Sequence, residues 1–93
     1  MKTIQHLIDG GLRAGTSGRT STVFNPATGE PSGEVALASV DEVGVAVASA
    51  SAAFDEWKNE SIAKRTRLMF EFRNLVVANA EEIAARLTSE HGK

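Results

Sequence analysis

Residues 39–93 contain no proline and only two glycines, Gly44 and Gly92, whereas residues 1–38 hold six glycines and both prolines. Proline removes a backbone donor and glycine frees φ, so the two stretches favour different structures. The first, rich in Gly, Thr and Ser, reads as strands and turns. The second, rich in Ala, Glu, Arg and Leu, reads as helix. The predicted class is α+β, with β-hairpin elements over about 7–37 and two to three helices over about 40–57, 62–78 and 80–91.

In the first stretch, Leu7-Ile8-Asp9-Gly10-Gly11-Leu12 reads as two short strands about an Asp-Gly turn. Gly15 to Ser21 is a polar loop. Thr22-Val23-Phe24 favours strand, and Asn25-Pro26-Ala27-Thr28-Gly29-Glu30 favours a turn. Gly33 to Leu37 alternates as a half-buried strand does, so Thr22–Phe24 should pair with Glu34–Leu37.

Helical signals follow. Ser39 with Glu42 fits a capping box, and Asp41 and Glu42 suit the positive helix pole. Val43, Val47, Ala50, Phe54 and Trp57 then share one face. Glu60-Ser61 interrupts it, with Ser61 as the next N-cap. Leu68, Phe72, Leu75 and Val76 line the second helix, with Met69 beside them and Lys64, Arg65, Arg67, Glu71 and Arg73 largely opposite. Asn79 with Glu82 reads as a further capping box, Ile83, Ala84 and Leu87 as a third apolar stripe, and Gly92 as a C-cap.

Ninety-three residues make one small domain with a thin core. A net charge of −2 gives no basic patch for nucleic acid and no reason to expect an anionic membrane surface. The absence of cysteine excludes a disulfide framework, a thiolate nucleophile and cysteine-ligated zinc within these residues. No apolar run approaches the roughly 20 residues that span a bilayer, and Gln5, His6 and Asp9 interrupt any signal-peptide core. A soluble, cytoplasmic protein is expected.

A search for chemistry returns structural readings. No serine sits in a G-x-S-x-G elbow; Ser21, Ser39 and Ser61 read as loop or cap residues. His6 and His91 lack the spacing of metal ligands, and His91 suits a helix C-terminus. No glycine loop has phosphate-binding spacing. Lys64-Arg65-x-Arg67 could touch a phosphate, but flanking Glu60 and Glu71 make a solvated, ion-paired face the better reading. Trp57 could be a ligand platform; at the end of an apolar stripe it is better read as a packing anchor.

Several stretches nevertheless resemble a known family. Leu7-Ile8-Asp9-Gly10-Gly11 resembles the hydrophobic-(I/V)-(D/N)-G opening of the aldehyde dehydrogenase superfamily. Val23-Phe24-Asn25-Pro26-Ala27-Thr28-Gly29-Glu30 is similar to its N-P-A-T-G-E turn, and Ala52-Ala53-Phe54-Asp55-Glu56-Trp57 to its A-A-F-x-x-W block. Lys64-Arg65, Leu68-Met69-Phe70, Glu81-Glu82-Ile83-Ala84 and Glu90-His91-Gly92-Lys93 follow in family order. Ile4 to Gly10 and Phe70-x-Phe72-Arg73 look most like the methylmalonate-semialdehyde dehydrogenase branch.

The resemblance implies the N-terminal segment of a longer enzyme with a nucleotide-binding domain, a catalytic domain and an oligomerisation arm. Such enzymes oxidise aldehydes with NAD or NADP: a cysteine thiolate attacks, hydride leaves to the nicotinamide, and the thioester passes to water or coenzyme A. In the family the cysteine, the general-base glutamate, the oxyanion asparagine and the cofactor pocket lie beyond the position of Lys93. No catalytic or cofactor-binding residue is therefore expected in 1–93, and the segment alone should be inactive. One site could carry over: backbone carbonyls of Val23 and Phe24 as part of a monovalent-cation site. The implied partners are the remainder of the chain and further copies of the enzyme. Phe54, Trp57, Leu68, Phe72, Leu75, Ile83 and Leu87 would anchor the segment. The rival expectation is a stand-alone, non-enzymatic module that self-associates or binds a protein through its helix faces.

Overall fold

The computed structural model describes residues 2–93 and runs β1 (Lys2–Ile4), β2 (His6–Ile8), β3 (Gly11–Arg13), β4 (Thr20–Phe24), β5 (Pro31–Ala36), α1 (Val40–Trp57), α2 (Ile62–Ala78) and α3 (Ala80–His91). The α+β class and the three helices match the expectation. β2 and β3 pair antiparallel about Asp9 and Gly10, which both take positive φ, 53° and 74°. That is the backbone sign a tight two-residue hairpin needs.

β4 and β5 form the expected second hairpin, with Thr22 opposite Glu34 and Val23 opposite Gly33. The ladder then slips, and Phe24 pairs with Pro31, leaving Ser32 as an extra residue on β5. Pro31 has no N–H to donate, so a bulge at the strand's start costs little there. The Asn25–Glu30 turn is closed by Gly29 N–H to Asn25 O (2.8 Å) and Asn25 N–H to Glu30 O (2.8 Å). Asn25 Oδ1 also accepts from Ala27 N–H at 2.9 Å.

Three features depart from the reading of the sequence. Ser21 is not in a loop: β4 starts at Thr20, and Ser21 pairs with Val35 between two β-branched threonines. β1, unmarked by any alternation, pairs parallel with β5, so the sheet order is β1-β5-β4. Its approach is close: a Cβ on Gly33 would lie 2.8 Å from the Lys2 carbonyl oxygen. Asn79 does not cap α3 with its side chain. Its amide instead donates back to Leu75 O at 2.8 Å, which closes α2, so the competing local hydrogen bond wins.

The other caps hold. Glu42 N–H donates to Ser39 Oγ (3.1 Å) and Ser39 N–H to Glu42 Oε1 (3.0 Å), the complete box. Ser61 Oγ accepts from Lys64 N–H at 3.1 Å. Gly92 ends α3 in the left-handed conformation, its N–H donating to Thr88 O at 2.9 Å.

A shared core is nearly absent. Among the described residues Ala36 is the buried hydrophobic, at 8% exposure, and no large side chain is fully enclosed. Phe54, Trp57, Leu68, Phe72, Leu75, Ile83 and Leu87 are all exposed. The chain spreads over 47 × 35 × 15 Å with a radius of gyration of 16.9 Å. A compact chain of this length would have about 12 Å. Its 7403 Å² of accessible surface exceeds by about 2,000 Å² that of a self-contained protein of equal mass. No described helix is long and apolar enough to cross a membrane.

Candidate functional site

The bulge places Val23 and Phe24 at the end of β4. Val23 O accepts from Ser32 Oγ at 3.2 Å. Val23 also lines an open hollow of about 690 Å³ between the sheet and α3, whose walls include Gln5, Arg86, Ser89 and Glu90. A carboxylate thus shares a cavity with one of the two carbonyl-bearing residues singled out in the sequence. Glu90 carried no signal of its own there, because it lies 67 positions from Val23 and only the fold brings the two together.

Of the ion pairs among the described residues, His6 with Glu42 is the least exposed. Their side chains are 17% and 14% exposed, and His6 Nε2 stands 3.8 Å from Glu42 Oε2. Glu42 Oε1 accepts from Ser39 N–H (3.0 Å) and Thr16 N–H (3.1 Å). Those two backbone donors, Ser39 first and Thr16 next, hold the Glu42 carboxyl at about 2, well below its ordinary 4.5. His91 occupies the last turn of α3, far from this pair in sequence. Among the described residues no group of three or more His, Asp or Glu is placed to hold a metal ion.

The basic cluster on α2 behaves as a solvated face: Lys64 Nζ pairs with Glu60 Oε1 at 3.0 Å. Trp57, 41% exposed, lines a shallow hollow of about 580 Å³ with Ile62, Met69, Phe70, Arg65 and Arg73. That surface is mainly apolar and open, unlike the enclosing cleft of a small-molecule pocket. The turn glycines lead into strands and loops rather than into a helix, so no phosphate cradle forms from them.

Comparison with known proteins gives this arrangement a context. The sequence profile of the Aldehyde dehydrogenase family matches residues 13–93. Malonate-semialdehyde dehydrogenase 2 of Geobacillus thermodenitrificans (strain NG80-2) is 41% identical over 92 residues, covering 99% of this chain and 19% of the relative. Malonate-semialdehyde dehydrogenase of Pseudomonas aeruginosa is 40% identical over 93 residues, covering 100% of this chain and 18% of the relative. Among solved structures, a candidate methylmalonate-semialdehyde dehydrogenase of Sinorhizobium meliloti 1021, complexed with NAD, superposes with a TM-score of 0.92 at 46% identity, covering 98% of this chain and 18% of that one. Methylmalonate-semialdehyde dehydrogenase of Oceanimonas doudoroffii gives 0.91 at 43% identity with the same coverage, 98% and 18%. The chain thus spans about a fifth of the length of the relatives it matches. Family match, relatives and backbone agree that it belongs to the aldehyde dehydrogenase family.

Proposed function

We propose that these residues are the N-terminal structural segment of an NAD-dependent aldehyde dehydrogenase that converts (methyl)malonate semialdehyde to an acyl-CoA in the cytoplasm. The observation that carries the structural role is the uncovered apolar surface. Three helices present Phe54, Trp57, Leu68, Phe72, Leu75, Ile83 and Leu87 with no core of their own to fill. Burying each such side chain is worth roughly 1.5–3 kcal/mol, so the faces are built to receive another part of the enzyme. The substrate class rests on the similarity to malonate- and methylmalonate-semialdehyde dehydrogenases at about 40% identity over the whole segment.

The chemistry belongs to residues outside this segment. No cysteine is present to serve as nucleophile. Among the described residues no glycine loop opens a helix to receive a pyrophosphate, which supports placing the nicotinamide pocket elsewhere in the enzyme. Bound elsewhere, NAD would accept the hydride of the aldehyde carbon and coenzyme A would take the acyl group. The test is NADH production from either semialdehyde with NAD and coenzyme A. The full-length enzyme should turn over and residues 1–93 should not; failure of the full-length enzyme on both aldehydes would overturn the substrate reading.

The carbonyls of Val23 and Phe24 contribute, in this reading, to a monovalent-cation site, with Glu90, which lines the same hollow as Val23, supplying negative charge. Replacing Na⁺ and K⁺ by tetramethylammonium at constant ionic strength should lower the Tm of the full-length enzyme. An unchanged Tm would remove the site.

A further inference from the structure

We infer that His6 Nε2 carries a proton aimed at Glu42 Oε2, forming a latch that fastens the β2–β3 hairpin to the N-terminus of α1. His6 Nε2 is buried and finds no hydrogen-bond partner in the arrangement as it stands, with the carboxylate oxygen 3.8 Å away. The imidazole is seated by design of the backbone around it. A Cβ on Gly15 would lie 3.1 Å from Nε2 and 3.4 Å from Cδ2, so a larger residue at 15 would press on the ring. Two further charged groups lie nearby: Arg13, the register partner of His6 on β3, and Asp41 on α1, which lines the same hollow as Arg13, Gly15, Thr16 and Glu42.

A neutral imidazole has a single N–H. Placed on Nδ1, it would leave the buried Nε2 lone pair facing a carboxylate oxygen, an acceptor against an acceptor, with Nε2 still unsatisfied. Placed on Nε2, it donates to Oε2, and a shift of about 1 Å brings the contact to charge-assisted hydrogen-bond length. Glu42 would then tie three separated pieces together: Ser39 of the cap and Thr16 of the loop through Oε1, and His6 of β2 through Oε2. His6 and Glu42 are positioning residues in this account, and the latch stands independently of the enzyme activity proposed above.

The test uses hydrogen exchange by mass spectrometry on the full-length enzyme, reading peptides that cover residues 6–19. His6→Leu removes the donor at similar volume and should speed exchange there about tenfold. His6→Gln keeps a donor near the Nε2 position and should stay within about threefold of wild type. Adding His6→Leu to Glu42→Gln should produce no further acceleration, because the two act through one contact. Unchanged exchange in His6→Leu, equal damage from Leu and Gln, or additive effects would each overturn the latch. A second readout needs no substitution: imidazole ¹⁵N shifts should show the proton on Nε2, and a proton held on Nδ1 would refute the inference.

Discussion

The ring of Pro26 lies against Gly92, where a Cβ would stand 3.4 Å from Pro26 Cγ. This contact joins the turn after β4 to the end of α3, two elements separated by most of the chain. Gly92 also holds φ at 78°, a left-handed conformation that costs side-chain-bearing residues about 1–2 kcal/mol. Gly92→Ala should destabilise the full-length enzyme by about that amount in urea unfolding. Gly92→Asn should lose less, since Asn tolerates the left-handed cap.

The Glu42 carboxyl has a folded-state pKa of about 2 against an ordinary 4.5. A depressed carboxyl pKa contributes stability that is fully present above the unfolded value and is lost as pH falls through the folded one. The advantage of wild type over Glu42→Gln should therefore be constant above about pH 4.5 and shrink steadily below it. Amide exchange at the start of α1, compared between the two proteins from neutral pH downward, measures this. A gap that widens in acid would reverse the assigned sign.

Gly33→Ala should detach β1. Its new methyl would meet the Lys2 carbonyl at 2.8 Å, and backbone cannot swing aside as a side-chain tip can. Overpacking of this kind costs about 1–3 kcal/mol. Faster exchange of residues 2–5, with the β4–β5 ladder still protected, is the expected pattern.

Phe72→Ala and Trp57→Ala distinguish a buried anchor from a solvent-facing side chain. If the helices are covered in the full-length enzyme, each substitution should cost about 3–5 kcal/mol there. In residues 1–93 alone, where the two side chains are 59% and 41% exposed, the same changes should cost little. The isolated segment should also self-associate in sedimentation, because its apolar faces exceed what a soluble monomer normally exposes. A clean monomer at high concentration would contradict that expectation.

Local features were legible wherever short-range chemistry dominates. Ser39 with Glu42, Ser61 and Gly92 mark helix ends through hydrogen bonds made within a few residues, and α1 and α2 begin, and α3 ends, where those signals place them. Asp9-Gly10 fixes its hairpin in the same way. Asn79 misled because its amide has two local partners of similar reach, and sequence does not rank them. β1 was invisible because a three-residue edge strand has no periodicity to read.

The candidate site divides along the same line. Val23 and Phe24 were singled out only through the family resemblance, and neither their bulge nor the Glu90 that shares a hollow with Val23 was legible. His6 read as an isolated residue until the hairpin carried it to Glu42, 36 positions away.

The sequence by itself determined the three helices, the two hairpins, the caps at Ser39, Ser61 and Gly92, and the family, since these rest on residue identity and near-neighbour spacing. Tertiary structure alone decided the parallel placement of β1, the meeting of His6 with Glu42 and of Pro26 with Gly92, and the uncovered helix faces. Each depends on how far-separated segments close in space, a cost and a gain that no local stretch of chain carries.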